Sequence, residues 1–193
     1  MTTACPIHVL GIGLEGASGL DESRLNILAQ ATLLVGSDRH LNYFPDHPAQ
    51  KFPLGNIKDA IAYIQRQIEQ YSQHPSDLTI VILVSGDPLF FGLGRLLLQS
   101  FSSERLYFHP HLSSMQLAFS RVKVPWQDAT LISLHGRSSE ALVTALKQGQ
   151  KKIAVLTDTV HTPEASAQLL QSLRLPVSYK IWVCENLGGA EEQ

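Results

Sequence analysis

A chain of 193 residues, 44% hydrophobic and 17% charged, has the material for one large core or two small ones, and it excludes intrinsic disorder and collagen-like repeats. A formal charge of −2 leaves no basic surplus for gripping a phosphate backbone or an anionic membrane, so any anionic ligand must be met by locally placed cations. The two cysteines, Cys5 and Cys184, stand near opposite ends without a C-x-x-C partner, against a disulfide scaffold or a structural zinc, and no apolar run approaches the ~18 residues of a membrane span. A soluble, cytoplasmic protein is expected.

Ile7-His8-Val9-Leu10-Gly11-Ile12-Gly13 reads as a buried strand that feeds a glycine turn. Helical spacing follows over 21–31 behind an Asp21 cap, then a strand over 32–35 stopped by Gly36. Asn56 caps a long amphipathic helix whose apolar residues Ile57, Ala60, Ile61, Ile64, Ile68 and Tyr71 step by three or four. The run over 78–84 is apolar at nearly every position, as a central parallel strand covered on both faces must be. A helix over 93–101 and a short strand over 106–108 complete a parallel α/β layer.

His109-Pro110-His111-Leu112 has turn composition and sets the expected boundary, giving lobes of residues 1–112 and 113–193. Ser113 or Ser114 would cap a helix over 115–121. The second lobe then alternates strands over 130–134, 153–156 and 177–183 with helices over 139–147 and 163–173. Thr162-Pro163-Glu164 is a strong start for the last of these helices: a hydroxyl cap, proline in the first turn, and an acid near the positive end of the dipole.

Two stretches carry candidate chemistry. Gly11-Ile12-Gly13-Leu14-Glu15-Gly16 is a literal G-x-G-x-x-G after a strand, with Asp38 at a ribose-binding distance beyond it, as in an NAD-type oxidoreductase. In that fold the third glycine opens a helix, whereas here Ala17-Ser18-Gly19-Leu20 intervenes, so the turn is too long to seat a pyrophosphate on the helix N-terminus. The same glycines also read as a loop without a ligand. The second stretch is Ser85-Gly86-Asp87-Pro88-Leu89-Phe90-Phe91-Gly92-Leu93-Gly94, at the carboxyl end of the most apolar strand, where open α/β sheets bind ligands. Asp87 there is either a ligand acceptor or a turn aspartate before proline.

This second block resembles the Gly-Asp-Pro-x-x-Phe-Gly-x-Gly motif of the tetrapyrrole methylases. Val9 to Gly13 is similar to that family's first strand and loop. Leu34-Val35-Gly36-Ser37-Asp38-Arg39-His40-Leu41, the 113–121 segment from Ser113-Ser114 to Arg121, Trp126 to Ala129, Ser133 to Arg137 and Glu185-Asn186-Leu187-Gly188-Gly189 resemble the cobalamin-pathway branch that methylates carbon 5 of a precorrin or cobalt-precorrin. The resemblance implies a two-lobed α/β fold with a mainly parallel N-terminal sheet and a smaller mixed C-terminal sheet, S-adenosylmethionine as methyl donor, and a homodimer. It implies that Leu14, Ser85, Gly86, Asp87, Phe90, Ser113, Ser114, Leu156 and Leu187 contact the donor. Arg39, His40, Arg95, Arg121, Lys123 and Arg137 lie beside the matched blocks and are candidates for a polycarboxylate substrate.

His109-x-His111 lacks a third ligand nearby, so no metal is expected, and His135 reads equally well as a structural histidine. Family members continue beyond the Glu185–Gly189 segment, so the second lobe is expected to lack its last elements, with a carbon-15 methyltransferase domain or subunit as a partner. A non-catalytic tetrapyrrole-binding subunit stays open beside the enzyme.

Overall fold

A computed structural model describes residues 5–193. The chain divides into two compact units, one running to Ser113 and including Gly188–Ala190, the other formed by Ser114–Leu187 and Glu191–Gln193. Among the described residues no helix is long and apolar enough to cross a membrane.

In the first unit β1 (Ile7–Ile12), β2 (Leu33–Gly36), β3 (Gln50–Pro53), β4 (Ile80–Ser85) and β5 (Leu106–His109) form one parallel sheet in the order β3-β2-β4-β1-β5. Helices α1 (Glu22–Ala29), α2 (Asp38–Asn42), α3 (Ile57–Gln70) and α4 (Gly94–Ser100) make the connections. Because successive side chains point to opposite faces, the apolar runs split cleanly. Ile7, Val9, Leu33, Val35, Ile80, Ile82 and Val84 pack with Ala60, Ile64 and Leu97 from α3 and α4. Leu10, Ile12, Leu34, Val81 and Leu83 pack on the other face with Leu28 of α1, Leu41 of α2 and Phe44. A sheet covered on both sides needs apolar residues at every position, which is why 80–84 shows no alternation.

Two elements of this unit escape sequence reasoning. The edge strand β3 has the polar composition Gln-Lys-Phe-Pro and only partial burial, and α2 is too short to show a periodicity. Ser37 nevertheless caps α2, its hydroxyl accepting from the His40 amide at 3.4 Å.

The second unit is built from α5 (Ser114–Val122), β6 (Thr130–Ser133), α6 (Glu140–Lys147), β7 (Ile153–Leu156) and α7 (Pro163–Ser172). Strands β6 and β7 pair in parallel, with Thr130 opposite Ile153 and Ser133 opposite Leu156. Ile132, Leu134, Leu142, Ala145 and Leu146 form its core, with Val155, Leu169, Leu170 and Tyr179 against it. The smaller sheet is therefore present, but both its strands run the same way and the strand expected over 177–183 does not form. An alternating strand would place Val177, Tyr179, Ile181 and Val183 on one face. The chain instead anchors Leu175 and Tyr179, the tyrosine hydroxyl donating to the Gln150 carbonyl at 2.9 Å, and leaves Val177, Ile181, Trp182 and Val183 half exposed or more. β-propensity without a neighbouring ladder does not make a strand.

Candidate functional site

In the sheet order β3-β2-β4-β1-β5, the chain leaves β1 toward β2 and leaves β4 toward β5. The carboxyl ends of β1 and β4 therefore form the crevice where connections diverge, the ligand position of open α/β sheets. Backbone hydrogen bonds stitch three loops together there. The Gly86 amide donates to the Ile12 carbonyl at 3.2 Å, and the His111 amide donates to the Gly86 carbonyl at 3.2 Å.

The approach is so close that only glycine fits. A Cβ on Gly11 would run into the Gly86 carbonyl oxygen and lie 2.6 Å from the His111 nitrogen. Gly86 has φ +62°, in the left-handed region, and a Cβ there would stand 3.1 Å from the Ser113 Cα. Gly86 thus lets the 111–113 loop cross close over the end of β4, backbone against backbone.

Around it lie most of the residues expected to hold a cofactor. Ser85 is exposed at the tip of β4, while Asp87 and Phe90 are partly buried in the following turn. One oxygen of Asp87 accepts from the Leu89 amide at 2.9 Å, so the aspartate shapes the turn as well as facing solvent. The Phe90 amide donates to the Asp87 carbonyl at 3.1 Å, and the Phe90 and Phe91 rings stand 4.7 Å apart. Leu14 is partly buried, its carbonyl accepting from the Tyr43 hydroxyl at 3.5 Å. Ser113 is buried and closes the first unit, whereas Ser114 is exposed and opens α5.

Leu156 and Leu187 belong to the second unit and are partly buried. There the Leu156 carbonyl accepts from the Leu134 amide at 2.8 Å, and Asp158, just past β7, ties two loops together. Its carboxylate accepts from the amides of Gly136 at 3.0 Å, Val160 at 2.9 Å and His161 at 2.6 Å. Those bonds, the His161 amide first, hold its carboxyl well below the usual carboxylate range.

The candidate cations separate into different roles. Arg39 Nη2 donates to Ser85 Oγ at 2.8 Å and lies 3.2 Å from His40 Nε2. His40 is 5% exposed and reaches Ser85 Oγ through Nε2 at 3.2 Å and Ser37 Oγ through Nδ1 at 3.1 Å. Burial first, and the Arg39 charge second, push its pKa down to about 4, against a raising hydrogen bond with Leu83. His40 is therefore a neutral, buried ring at neutral pH, set against Ser85 beside the exposed Arg39. Arg121 is also not a bare cation. Its Nε and Nη2 are held by the Glu192 carboxylate, the second contact at 3.0 Å. Arg95, Lys123 and Arg137 are exposed, on the first turn of α4, just past α5 and just past β6.

Several participants carried no signal in the sequence. Glu15 folds back over the loop so that its carboxylate fills the space a Cβ on Gly13 or Gly19 would need, and His111 Nε2 meets it at 2.7 Å. Asp21, the cap the sequence announced, holds α1 by accepting from the Arg24 amide at 2.9 Å. Two carboxylates thus stand where a pyrophosphate would require N–H donors, and Gly16 (φ +63°) opens a short 3-10 turn rather than α1. The two histidines of the His109-x-His111 pair have different partners. His109 Nε2 lies 3.0 Å from His8 Nδ1, and His111 pairs with Glu15. Only the G-x-G pattern hinted at a loop needing close approach; Glu15, Ser37 and His111 become visible only once three strand ends converge.

Comparison with known proteins places this geometry. The model of the tetrapyrrole (corrin/porphyrin) methylases matches residues 6–193. A precorrin-6Y C(5,15)-methyltransferase [decarboxylating] from a Sinorhizobium species is 32% identical over 97% of this chain, which spans 43% of that relative's length. A cobalt-precorrin-7 C(5)-methyltransferase of Salmonella typhimurium is 32% identical over 85% of this chain and 77% of its own. The crystal structure of a uroporphyrin-III C-methyl transferase from Thermus thermophilus, complexed with S-adenyl homocysteine, superposes with a TM-score of 0.68 at 17% identity, covering 97% of this chain and 85% of that one. A family match along nearly the whole chain, joined to a fold with its ligand crevice where the Gly86 turn lies, leads to one conclusion: the chain belongs to the tetrapyrrole (corrin/porphyrin) methylase family.

Proposed function

We propose that this chain is a C-methyltransferase that uses S-adenosylmethionine to methylate carbon 5 of a precorrin or cobalt-precorrin in cobalamin biosynthesis. The observation that carries the reading is the place of the Gly86-Asp87-Pro88 turn, at the carboxyl end of β4 in the β1–β4 crevice where open α/β sheets bind ligands. The names of the Sinorhizobium and Salmonella relatives supply the carbon and the class of macrocycle, and the Thermus homologue's S-adenyl homocysteine supplies the donor class. The donor supplies a methyl group on a sulfonium. The chain's own residues have to bind, orient and exclude water, and positioning of this kind can supply most of an enzyme's acceleration. Gly86 and Ser113 offer backbone and small surfaces, Phe90 an apolar contact, and Asp87 an acceptor beyond the oxygen that shapes its turn.

The dinucleotide alternative is disfavoured by Glu15, whose carboxylate lies over the glycine loop, and by Asp21, whose carboxylate already caps α1. A homodimer and a carbon-15 methyltransferase domain or subunit belong to the same reading; the chain spans 43% of the Sinorhizobium relative and 77% of the Salmonella one. Titration calorimetry tests it. S-adenosylhomocysteine should bind the wild-type chain, and Gly86→Val, which forces a branched residue to φ +62°, should abolish binding while the circular dichroism spectrum stays that of the wild type. Mass spectrometry of a precorrin incubated with protein and donor should then show one added methyl. Wild-type protein that binds no S-adenosylhomocysteine refutes the reading.

A further inference from the structure

We infer that Arg39 is a prebuilt half-site for a ligand carboxylate, with Ser85, His40 and Ser37 as the residues that position it. This inference rests on the methylase reading and adds the chemistry recognised at one edge of that site.

A guanidinium has only donors, so both short contacts of Arg39 Nη2, to Ser85 Oγ at 2.8 Å and His40 Nε2 at 3.2 Å, require an acceptor on the far side. That assigns Nε2 as the unprotonated nitrogen and leaves Nδ1–H to donate to Ser37 Oγ at 3.1 Å. The ring is neutral for the reason already given, burial foremost. A neutral histidine accepts from Arg39 where a charged one would repel it, so the local charge is a single cation with a fixed orientation. Ser37 caps α2 and so ties the ring to the backbone at the exit of β2, while Ser85 is the last residue of β4, the neighbouring strand. One edge of the guanidinium is thus spent on the protein.

Arg39 is exposed, and its Nε and Nη1 have no partner among the described residues. With Nε2 unprotonated, its 3.2 Å contact with Ser85 Oγ is made by the serine proton, so Ser85 accepts from Arg39, donates to His40 and holds the fork in place. A planar fork with a free edge matches a carboxylate bidentately, and holding the fork in advance removes part of the ordering cost of binding. Two ligands of this reaction carry carboxylates: the amino-acid end of the donor, and the rim of the macrocycle.

The test separates them. Calorimetry with S-adenosylhomocysteine, methylthioadenosine (the same nucleoside without the amino acid) and uroporphyrin III (a tetrapyrrole polycarboxylate) is run on wild type, Arg39→Gln, Arg39→Lys and Ser85→Ala. Arg39→Gln should raise the Kd of one carboxylate ligand about tenfold or more, as loss of a hydrogen bond to a charged group does. Arg39→Lys, which keeps charge without the fork, should raise it less, and Ser85→Ala should weaken the same ligand. Methylthioadenosine should bind both Arg39 variants as it binds wild type. Loss confined to S-adenosylhomocysteine assigns the half-site to the donor carboxylate, and loss confined to uroporphyrin assigns it to the acceptor. Unchanged affinity in both arms, including a wild-type chain that takes up no uroporphyrin, overturns the inference, as does an equal loss for methylthioadenosine. If wild type binds neither nucleoside, the methylase reading falls while the uroporphyrin arm still decides the half-site.

Discussion

The neutral state of His40 makes stability depend on pH in a window that can be worked out in advance. Its folded pKa of about 4 lies below the ordinary 6.5, so between those values the unfolded chain binds a proton that the native ring refuses. Stability from this group is complete above pH 6.5 and is lost as pH falls from 6.5 toward 4, the direction required when the unfolded state holds more protons. The gap corresponds to about 3 kcal/mol. Among small domains with roughly 5–15 kcal/mol to spare, that is a large share. His8 and His109 act with the same sign, since burial first lowers both, and His109 adds to the lowering of His8. The variant that isolates His40 is His40→Gln, which keeps an amide in the cavity and cannot titrate. Urea unfolding followed by circular dichroism at about pH 7 and about pH 4.5 should show wild type losing about 2–3 kcal/mol more than the variant between the two conditions. Equal losses in both proteins would mean that His40 is as protonated in the native state as in the unfolded one. The assignment of Nε2 as an acceptor for Arg39 would fall with it.

Gly11→Ala should destabilise by about 1–3 kcal/mol or more, because the new methyl meets backbone on two sides, and Gly55→Ala, with nothing within 4 Å, should stay within about 0.5 kcal/mol in the same urea titration. Equal costs would show that the β1–β4 crossing is looser than described. NADH fluorescence should not change on adding the wild-type chain at concentrations where S-adenosylhomocysteine saturates, since Glu15 occupies the glycine loop; saturable NADH binding would revive the dinucleotide reading.

How much of this was legible in the sequence depends on whether backbone or side chains carry the feature. The 80–84 run announced a doubly covered central strand, and the Asn56 and Asp21 caps announced α3 and α1, because burial and capping act within a few residues of the signal. The Gly-Asp-Pro turn was legible for the same reason: a turn needing positive φ writes a glycine. β3 was not, since an edge strand with one exposed flank has no need of an apolar run, and 177–183 misled because its residues favour extended backbone while no ladder adjoins them. The roles of Arg39 and His40 could not be separated in sequence at all. Adjacent in the chain, one ends exposed and the other 5% exposed, and only the pairing of β2 with β4 sets both against Ser85.

The glycine fingerprint shows the same division from the opposite side. Gly11 is required by a contact with a loop that follows a different strand, and the Glu15 side chain lies where a Cβ on Gly13 or Gly19 would come, so all three meet neighbours inside the protein. In a dinucleotide fold the equivalent glycines answer to a pyrophosphate and its helix. The motif reports close approach and is silent on what approaches. Here the approaching groups are a carbonyl, an amide and a carboxylate, two of the three acceptors, and a loop lined with acceptors excludes the phosphates that the pattern alone would have suggested. The Gly86 side of the crevice differs, because the outward edge of Arg39 supplies donors there. The two glycine turns at neighbouring strand ends therefore differ in task on the methylase reading: the first seals the sheet, and the second is the one proposed to receive the ligand.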